Sequence, residues 1–238
     1  MVAASLVGAL VKSITGMGFP LIAIPALALF IGVEDAVVIV SIPNSAANLM
    51  LNRGARAHQS ETRDLPVLIV SSVAGAIIGT FLFIEAPEEP LLLGLAATVL
   101  VFVVQRLRSP DLRLAPATTR RWAPVAGTIA GVSQGAVGVS GPVVAMWFHG
   151  YRLSKDAYVF SVTALFLMSG LAQLVVLAAA GEFSRDRLVA SGAALIATLA
   201  VIPVGIRMRD RVDVPTFERL ILVLLIVSGG SLVVRALT

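Results

Sequence analysis

The run Thr15-Gly16-Met17-Gly18-Phe19-Pro20 interrupts an apolar stretch that covers residues 3–30. A similar run, Gly138-Val139-Ser140-Gly141-Pro142, interrupts the apolar stretch 122–149. Glycine tolerates the positive φ that ends a helix, and proline lacks the N–H that a continuous helix needs. Irregular backbone at membrane depth is tolerated only where protein or a water-filled cavity surrounds it. Two such breaks therefore predict a transporter binding site between them.

The composition is that of a membrane protein. Of the 238 residues, 58% are hydrophobic and 13% are charged, whereas soluble domains carry about 25% charged residues. Spanning a bilayer as a helix needs about 20 apolar residues. Apolar stretches cover 3–30, 33–52, 66–85, 90–107, 122–149, 155–180, 187–206 and 216–236. We expect an all-α membrane protein whose net charge of +4 reflects membrane topology and not nucleic-acid binding.

The two halves resemble each other in the order of their segments. Shifts of 121 or 122 residues align Gly16 with Gly138, Pro20 with Pro142, Asp35 with Asp156, Asn48 with Ser169 and Asn52 with Gln173. We therefore expect a duplicated helical bundle with repeats 1–108 and 122–238, each of four segments, joined by a basic cytoplasmic linker at 109–121.

The arginines favour inverted repeats. If all eight stretches cross, basic loops of the second half fall on the outer face, against the positive-inside rule. The conflict disappears if 3–30 and 122–149 are re-entrant, because each half then has three crossings. Loops 53–65, 106–121, 150–155 and 207–215 would be cytoplasmic; both termini, 31–35, 85–90 and 181–187 would be outside. The alternative is eight full crossings in parallel repeats.

Each break predicts the start of a half-helix near mid-membrane. Proline suits the first position of a helix, so Pro20 and Pro142 should begin the second half-helices. The free N–H groups and the positive dipole end of such a helix attract anions. Thr15 and Ser140 add a polar side chain to each break. The alternative is a packing role, because glycine marks close helix contact and proline a kink.

Lys12 is the only charged residue well inside an apolar stretch, about one helical turn before Gly16. A buried charge in a membrane is costly and usually functional. As a cation Lys12 would add to an anion site, and its repeat counterpart Gln134 can donate hydrogen bonds. The alternative is that Lys12 extends to a membrane interface.

Asn44, Asn48 and Asn52 share one face of the stretch 33–52 because they are four residues apart. Their amides can donate to oxyanion oxygens, although such residues also join membrane helices by hydrogen bonds. The candidate substrate-binding residues are Lys12, Thr15, Gly16, Gly18, Pro20, Asn44, Asn48, Gln134, Gly138, Ser140, Gly141, Pro142 and Ser169.

Signals of an enzyme are absent from the sequence. Neither His58 nor His149 lies in mid-span, no carboxylate does either, and the chain has no cysteine. Metal-ligand spacing and a P-loop are also missing. We expect neither catalysis nor a metal or cofactor. The sequence leaves open whether a proton or sodium ion is coupled and whether the chain forms a homodimer.

The run Gly16-Met17-Gly18-Phe19-Pro20-Leu21-Ile22-Ala23-Ile24-Pro25 resembles the first glycine-rich segment of the sulfite exporter TauE/SafE family. The loop Asn52-Arg53-Gly54-Ala55-Arg56 and the Gly75/Gly79 stretch are similar too. The resemblance implies an anion permease of the bacterial inner membrane, for sulfite, thiosulfate or sulfonates, working by alternating access. Phe19, Pro20 and Pro142 stand where the family has glycines. A passive anion channel and a membrane scaffold subunit remain the alternatives.

Overall fold

The computed structural model describes residues 2–108 and 114–208, with the single positions 226 and 230. All regular structure in the two continuous ranges is helical. The helices are α1 Val2–Thr15, α2 Phe19–Ile31, α3 Val33–Gly54, α4 Leu65–Glu85, α5 Glu88–Arg108, α6 Pro116–Val137, α7 Gly141–His149, α8 Lys155–Ala179 and α9 Arg185–Met208, with a 3₁₀ turn at Arg56–Glu61. The expected stretch 216–236 lies outside the described residues.

Four helices are long and apolar enough to cross a membrane, namely α4, α5, α8 and α9. Exposed apolar side chains such as Val70, Val175 and Ile196 cover their outer faces, as lipid contact requires. Helix α3 has 22 residues, but its asparagines lower its hydropathy and it lies inside the bundle. The prediction of an all-helical membrane protein with several spans is thus confirmed.

The chain breaks at both predicted places. Helix α1 ends at Thr15, and α2 begins at Phe19 after Gly16 and Gly18 with φ of 83° and 107°. Helices α6 and α7 are likewise separated at Gly138, with φ of 70°. Glycine adopts this left-handed region without the steric cost that a Cβ brings.

The prediction that Pro20 and Pro142 occupy the first helical position was wrong by one residue. Phe19 and Gly141 begin α2 and α7, so each proline is second. The second position also tolerates proline, because the first four N–H groups of a helix have no intrahelical acceptor. Helix α6 also begins at Pro116, inside the range expected to be a linker.

Each broken segment turns back on itself. A Cβ added to Gly8 of α1 would lie 2.9 Å from the Phe19 ring of α2. In the second segment, the Leu114 N–H donates to Gly150 O at 3.0 Å, so the start of α6 and the end of α7 lie together. With 14 and 13 residues, α1 and α2 are each about 20 Å long, shorter than the roughly 30 Å hydrocarbon core.

Helices α3 and α8 lie at the centre of the bundle and run antiparallel. The Asn52 amide near the end of α3 donates to Phe160 O near the start of α8 at 3.0 Å. Helix α9 runs parallel to α3, because Arg187 contacts Asp35 at 2.7 Å and Ser191 donates to Ile39 O at 2.6 Å. Each central helix therefore packs against its counterpart and against a span of the opposite half.

The helix pair α4–α6 joins the two halves through small residues. Gly79 of α4 approaches the backbone of Val132, and Gly131 of α6 approaches the backbone of Ser72. A side chain at either glycine would collide with the facing backbone. Small residues permit this close approach, which is the main source of attraction between helices in lipid.

The loops gather at two ends. At the basic end, which comprises residues 53–64, 114–116 and 150–155, the Ser154 hydroxyl donates to Glu61 at 2.6 Å and the Tyr151 hydroxyl donates to Asp64 at 3.1 Å. At the acidic end, which comprises residues 31–35, 86–89 and 180–187, Arg187 contacts both Asp35 and Glu182. Each group contains loops that the re-entrant arrangement assigns to one side.

Candidate functional site

A cavity of about 10 Å³ lies between the two breaks. Its walls come from α2, α3, α6, α7 and α8, and from the turns before α2 and α7. The lining residues are Gly18, Pro20, Leu21, Asn44, Gln134, Val139, Ser140, Gly141 and Phe166. A volume of this size holds roughly one water molecule. The structure therefore brings both breaks to one small, partly polar space.

Helices α2 and α7 both begin at this cavity. Their N-cap residues, Gly18 and Ser140, provide no side-chain acceptor for the first N–H groups. Orphan N–H groups and the aligned peptide dipoles give each helix start a partial positive charge. The two starts face the same space, since residues from both line the one cavity.

Lys12 is fully buried beside the cavity. Its Nζ donates to Asn44 Oδ1 at 3.0 Å and lies 5.4 Å from the centre of the Phe166 ring. The alternative that Lys12 extends to an interface was wrong, because α1 begins at Val2 and places Lys12 in its last turn. No carboxylate of residues 2–108 or 114–208 pairs with it. The positive groups that the structure places near the cavity are therefore Lys12 and the two helix starts.

A chain of hydrogen bonds borders the cavity on the side of the second break. The Ser140 hydroxyl donates to Gln134 Oε1 at 3.1 Å, and Gln134 Nε2 donates to Gln173 Oε1 at 3.1 Å. Gln173 Nε2 then donates to Gly135 O at 3.3 Å. Each side chain fixes the orientation of the next, and Gln134, which the sequence alignment of the two halves pairs with Lys12, lines the cavity.

Four predicted residues take structural positions instead. Thr15 Oγ1 lies 2.9 Å from Val11 O and accepts from the Met17 N–H at 3.3 Å, so it stabilises the turn after α1. Gly16 packs against Val159 of α8, and Gly138 packs against Ile24 and Val37. Pro142 lies in the first turn of α7 without lining the cavity. For these four, the packing alternative describes the position better.

Asn48 and Ser169, the best-matched pair across the repeat, also lie outside the cavity lining. The Ser169 hydroxyl donates to Leu165 O of its own helix at 2.8 Å. Asn48 is fully buried, and neither of its amide atoms has a partner among the described residues. Asn44 therefore lines the cavity, whereas Asn48, one turn further along the same face of α3, and Ser169 on α8 do not.

The apolar part of the lining was not predicted. Leu21, Val139 and Phe166 complete the walls, and nothing in the sequence distinguishes them from other apolar residues of a membrane bundle. The sequence did single out Gln173 as a polar residue, because the alignment of the two halves pairs it with Asn52. That alignment did not reveal its partner, since Gln134 lies on a helix of another segment.

A family model described as Sulfite exporter TauE/SafE matches residues 1–232 of the chain. No curated protein and no solved structure gives a significant match.

Proposed function

The chain belongs to the sulfite exporter TauE/SafE family, a family of membrane transporters and not of enzymes, and from this premise we propose that it carries a small sulfur oxyanion or sulfonate across the bacterial inner membrane. The binding site is the cavity between the two breaks. Transport follows alternating access, in which the cavity opens to one end of the bundle at a time. If transport is coupled to an ion gradient, a proton or sodium ion drives the cycle.

The electrostatics of the cavity support the anion. Lys12 is buried beside it, two helix N-termini point at it, and no described carboxylate compensates them. Buried charges are normally paired, because an isolated ion loses its hydration without return. A bound anion supplies the missing negative charge. This uncompensated positive environment is the observation that carries the proposal.

The size of the cavity supports a carrier over an open channel. About 10 Å³ accommodates roughly one water molecule, so an oxyanion of several heavy atoms needs the walls to move apart. A passive channel would instead require a continuous path through the bundle. We therefore interpret the small cavity as one that must widen when the anion binds.

Equivalent contacts between the halves support the inverted duplication. Gly16 packs against Val159, and Gly138 packs against Val37. A shift of 122 residues relates both members of the two pairs, one residue more than the shift of 121 that aligns Asp35 with Asp156. A two-fold relation between the repeats 1–108 and 122–238 would produce this exchange. Rocking one repeat against the other would then expose the cavity at alternate ends.

The ends of the central helices repeat this exchange. Asp35 at the start of α3 contacts Arg187 of the second half, and Asp156 at the start of α8 lies 3.9 Å from His58 of the first half. The adjoining ends of the second broken segment, Leu114 and Gly150, support its re-entry at one membrane face. The basic end would be cytoplasmic.

Counterflow in proteoliposomes tests the proposal. Purified protein should take up radiolabelled sulfite or thiosulfate saturably, and faster when the same anion is loaded inside. Ser140→Leu should abolish uptake because the leucine fills the cavity. Val175→Leu, on the exposed face of α8, is the matched control and should transport normally. Uptake without trans-stimulation would indicate a channel, and no flux of any small anion would indicate a scaffold subunit.

A further inference from the structure

Three asparagines connect the cavity with the basic end along α3. Asn44 lines the cavity and accepts from Lys12. Asn52, two turns further on and only partly buried, donates to Phe160 O and to Thr163 Oγ1. Asn48 lies between them on the same face, because residues four apart on a helix are neighbours. The row is therefore a polar strip along one face of α3.

Asn48 is the member of the row without a protein partner. Its exposed fraction is 0%, and neither Oδ1 nor Nδ2 makes a hydrogen bond to any described residue. The buried amides nearest in role, Asn44, Gln134 and Gln173, are all bonded. A buried amide without partners destabilises the protein, so the side chain of Asn48 is available to bind a ligand that satisfies it.

The opposite side of the cavity differs. There Ser140, Gln134 and Gln173 satisfy one another and end on Gly135 O. Gln173 lies on the half of α8 that leads to the acidic end, whereas Asn48 leads to the basic end. The amides on the side of the second break are thus bonded within the protein, whereas Asn48 has two unused donors and an unused acceptor.

We propose that Asn48 is a second binding position for the transported oxyanion, one helical turn from the cavity on the path to the basic end. This inference rests on the proposed transport function. The amide offers two N–H donors to anion oxygens, and its Oδ1 accepts from a protonated oxygen or a hydration water of the anion. The ligand class is therefore a protonated or partly hydrated oxyanion, passed from Lys12 and Asn44 toward Asn52.

The test replaces the amide by an apolar side chain of similar size. Asn48→Leu should raise the melting temperature, because it removes an unpaired buried polar group. It should leave the stabilisation by sulfite or thiosulfate intact, since the cavity is unchanged. Its transport rate should fall by about tenfold or more, the factor that one lost hydrogen bond of ordinary strength gives. Asn48→Ser, which keeps a donor and an acceptor, should recover part of the rate.

Two controls separate this role from general packing. Like Asn48, Ser72 is a buried polar residue whose side chain has no described partner, but it lies at the α4–α6 contact. Ser72→Ala should therefore leave transport unchanged. Asn52→Leu removes a formed hydrogen bond and should lower the melting temperature. If Asn48→Leu fails to fold, Asn48→Ala serves the same measurement with less added volume.

The outcomes distinguish the two proposals. Wild-type transport by Asn48→Leu, or by Asn48→Ala in its place, overturns the second position and leaves the cavity site standing. A fall in both melting temperature and transport, without recovery in Asn48→Ser, also overturns it, because the residue is then structural. Absence of flux in the unmodified protein overturns the transport function and this inference together.

Discussion

At the residue scale, Lys12 decides the character of the site. A lysine at the bilayer centre costs about 2.5–3.5 kcal/mol on insertion scales. Asn44 and the Phe166 ring offset part of this cost, and neither carries a charge. An anion bound beside Lys12, as proposed, would offset the remainder.

We predict that Lys12→Met weakens anion binding without weakening the fold. The apolar side chain has a similar length and removes the buried charge, so the melting temperature should stay the same or rise. The loss of one charge-assisted hydrogen bond, about 1.5–3 kcal/mol, should weaken binding by at least tenfold. Thermal shifts over a series of sulfite concentrations measure both effects. Lys155→Met, at the exposed basic end, is the control; a normal shift in Lys12→Met would contradict the assigned role.

A second prediction concerns Gly138. Alanine there must adopt a φ of 70° and also meet Ile24, so Gly138→Ala should destabilise the protein by about 1–3 kcal/mol. Gly181 has a φ of 78° and no atom within 4 Å of an added Cβ. Gly181→Ala therefore carries the conformational cost alone. Equal losses in melting temperature for the two variants would mean that the contact with Ile24 is unimportant.

The polar residues around the cavity could be predicted from the sequence, but the exact set of residues that line it could not. Lys12 could be identified because an ammonium inside an apolar run has few structural explanations. Asn44 and Asn48 could not be separated, since both lie on one helix face and only the packing of α1 and α8 decides which one reaches the cavity. Phe166 could not be found, because its role depends on contacts between segments far apart in the chain.

At the element scale, the breaks were predictable and the exact helix starts were not. Glycine and proline end helices for local reasons, so both breaks fall where the sequence places them. The first helical residue depends on the turn conformation, in which Gly18 and Ser140 act as N-caps and shift each proline to the second position. The start of α6 moved to Pro116 because Pro116 itself is a good initiator.

The basic end is held by one connected cluster. Trp147 Nε1 donates to the Tyr151 hydroxyl at 2.7 Å, Tyr151 donates to Asp64, and the Arg63 guanidinium lies 4.1 Å from the Tyr151 ring centre. The cluster ties the end of the second broken segment to the loop before α4. Movement of that segment during transport would have to carry the loop with it or break these contacts.

We predict that Tyr151→Phe lowers stability and changes its pH dependence. Burial, with a smaller effect of the Asp64 carboxylate, raises the pKa of Tyr151 to about 12 from its ordinary value of 10. A raised pKa means that the stabilisation is complete below pH 10 and is lost as the pH rises toward 12. The melting temperature of the unmodified protein should therefore fall between pH 10 and 12 more steeply than that of Tyr151→Phe. Parallel curves would contradict the prediction.

At the scale of the whole molecule, the side of the membrane on which each loop lies distinguishes the re-entrant arrangement from eight full crossings. The absence of cysteine permits single-cysteine labelling without background. Ser60→Cys and Lys155→Cys should react with an impermeant maleimide from one side of the membrane, and Glu89→Cys and Arg185→Cys from the other. Eight full crossings place positions 60 and 155 on opposite sides, so labelling from different sides would exclude the re-entrant arrangement.

The interlocking of the two halves has a consequence for biosynthesis. Helix α1 packs against α9, and α4 against α6, so neither half completes its own surface. At about 5–20 residues per second, synthesis from α1 to the end of α9 takes about 10–40 s. During that interval the ribosome and the insertion machinery must hold a short, lysine-bearing helix whose neighbour does not yet exist. Separately expressed halves should therefore be degraded alone and accumulate when they are produced together.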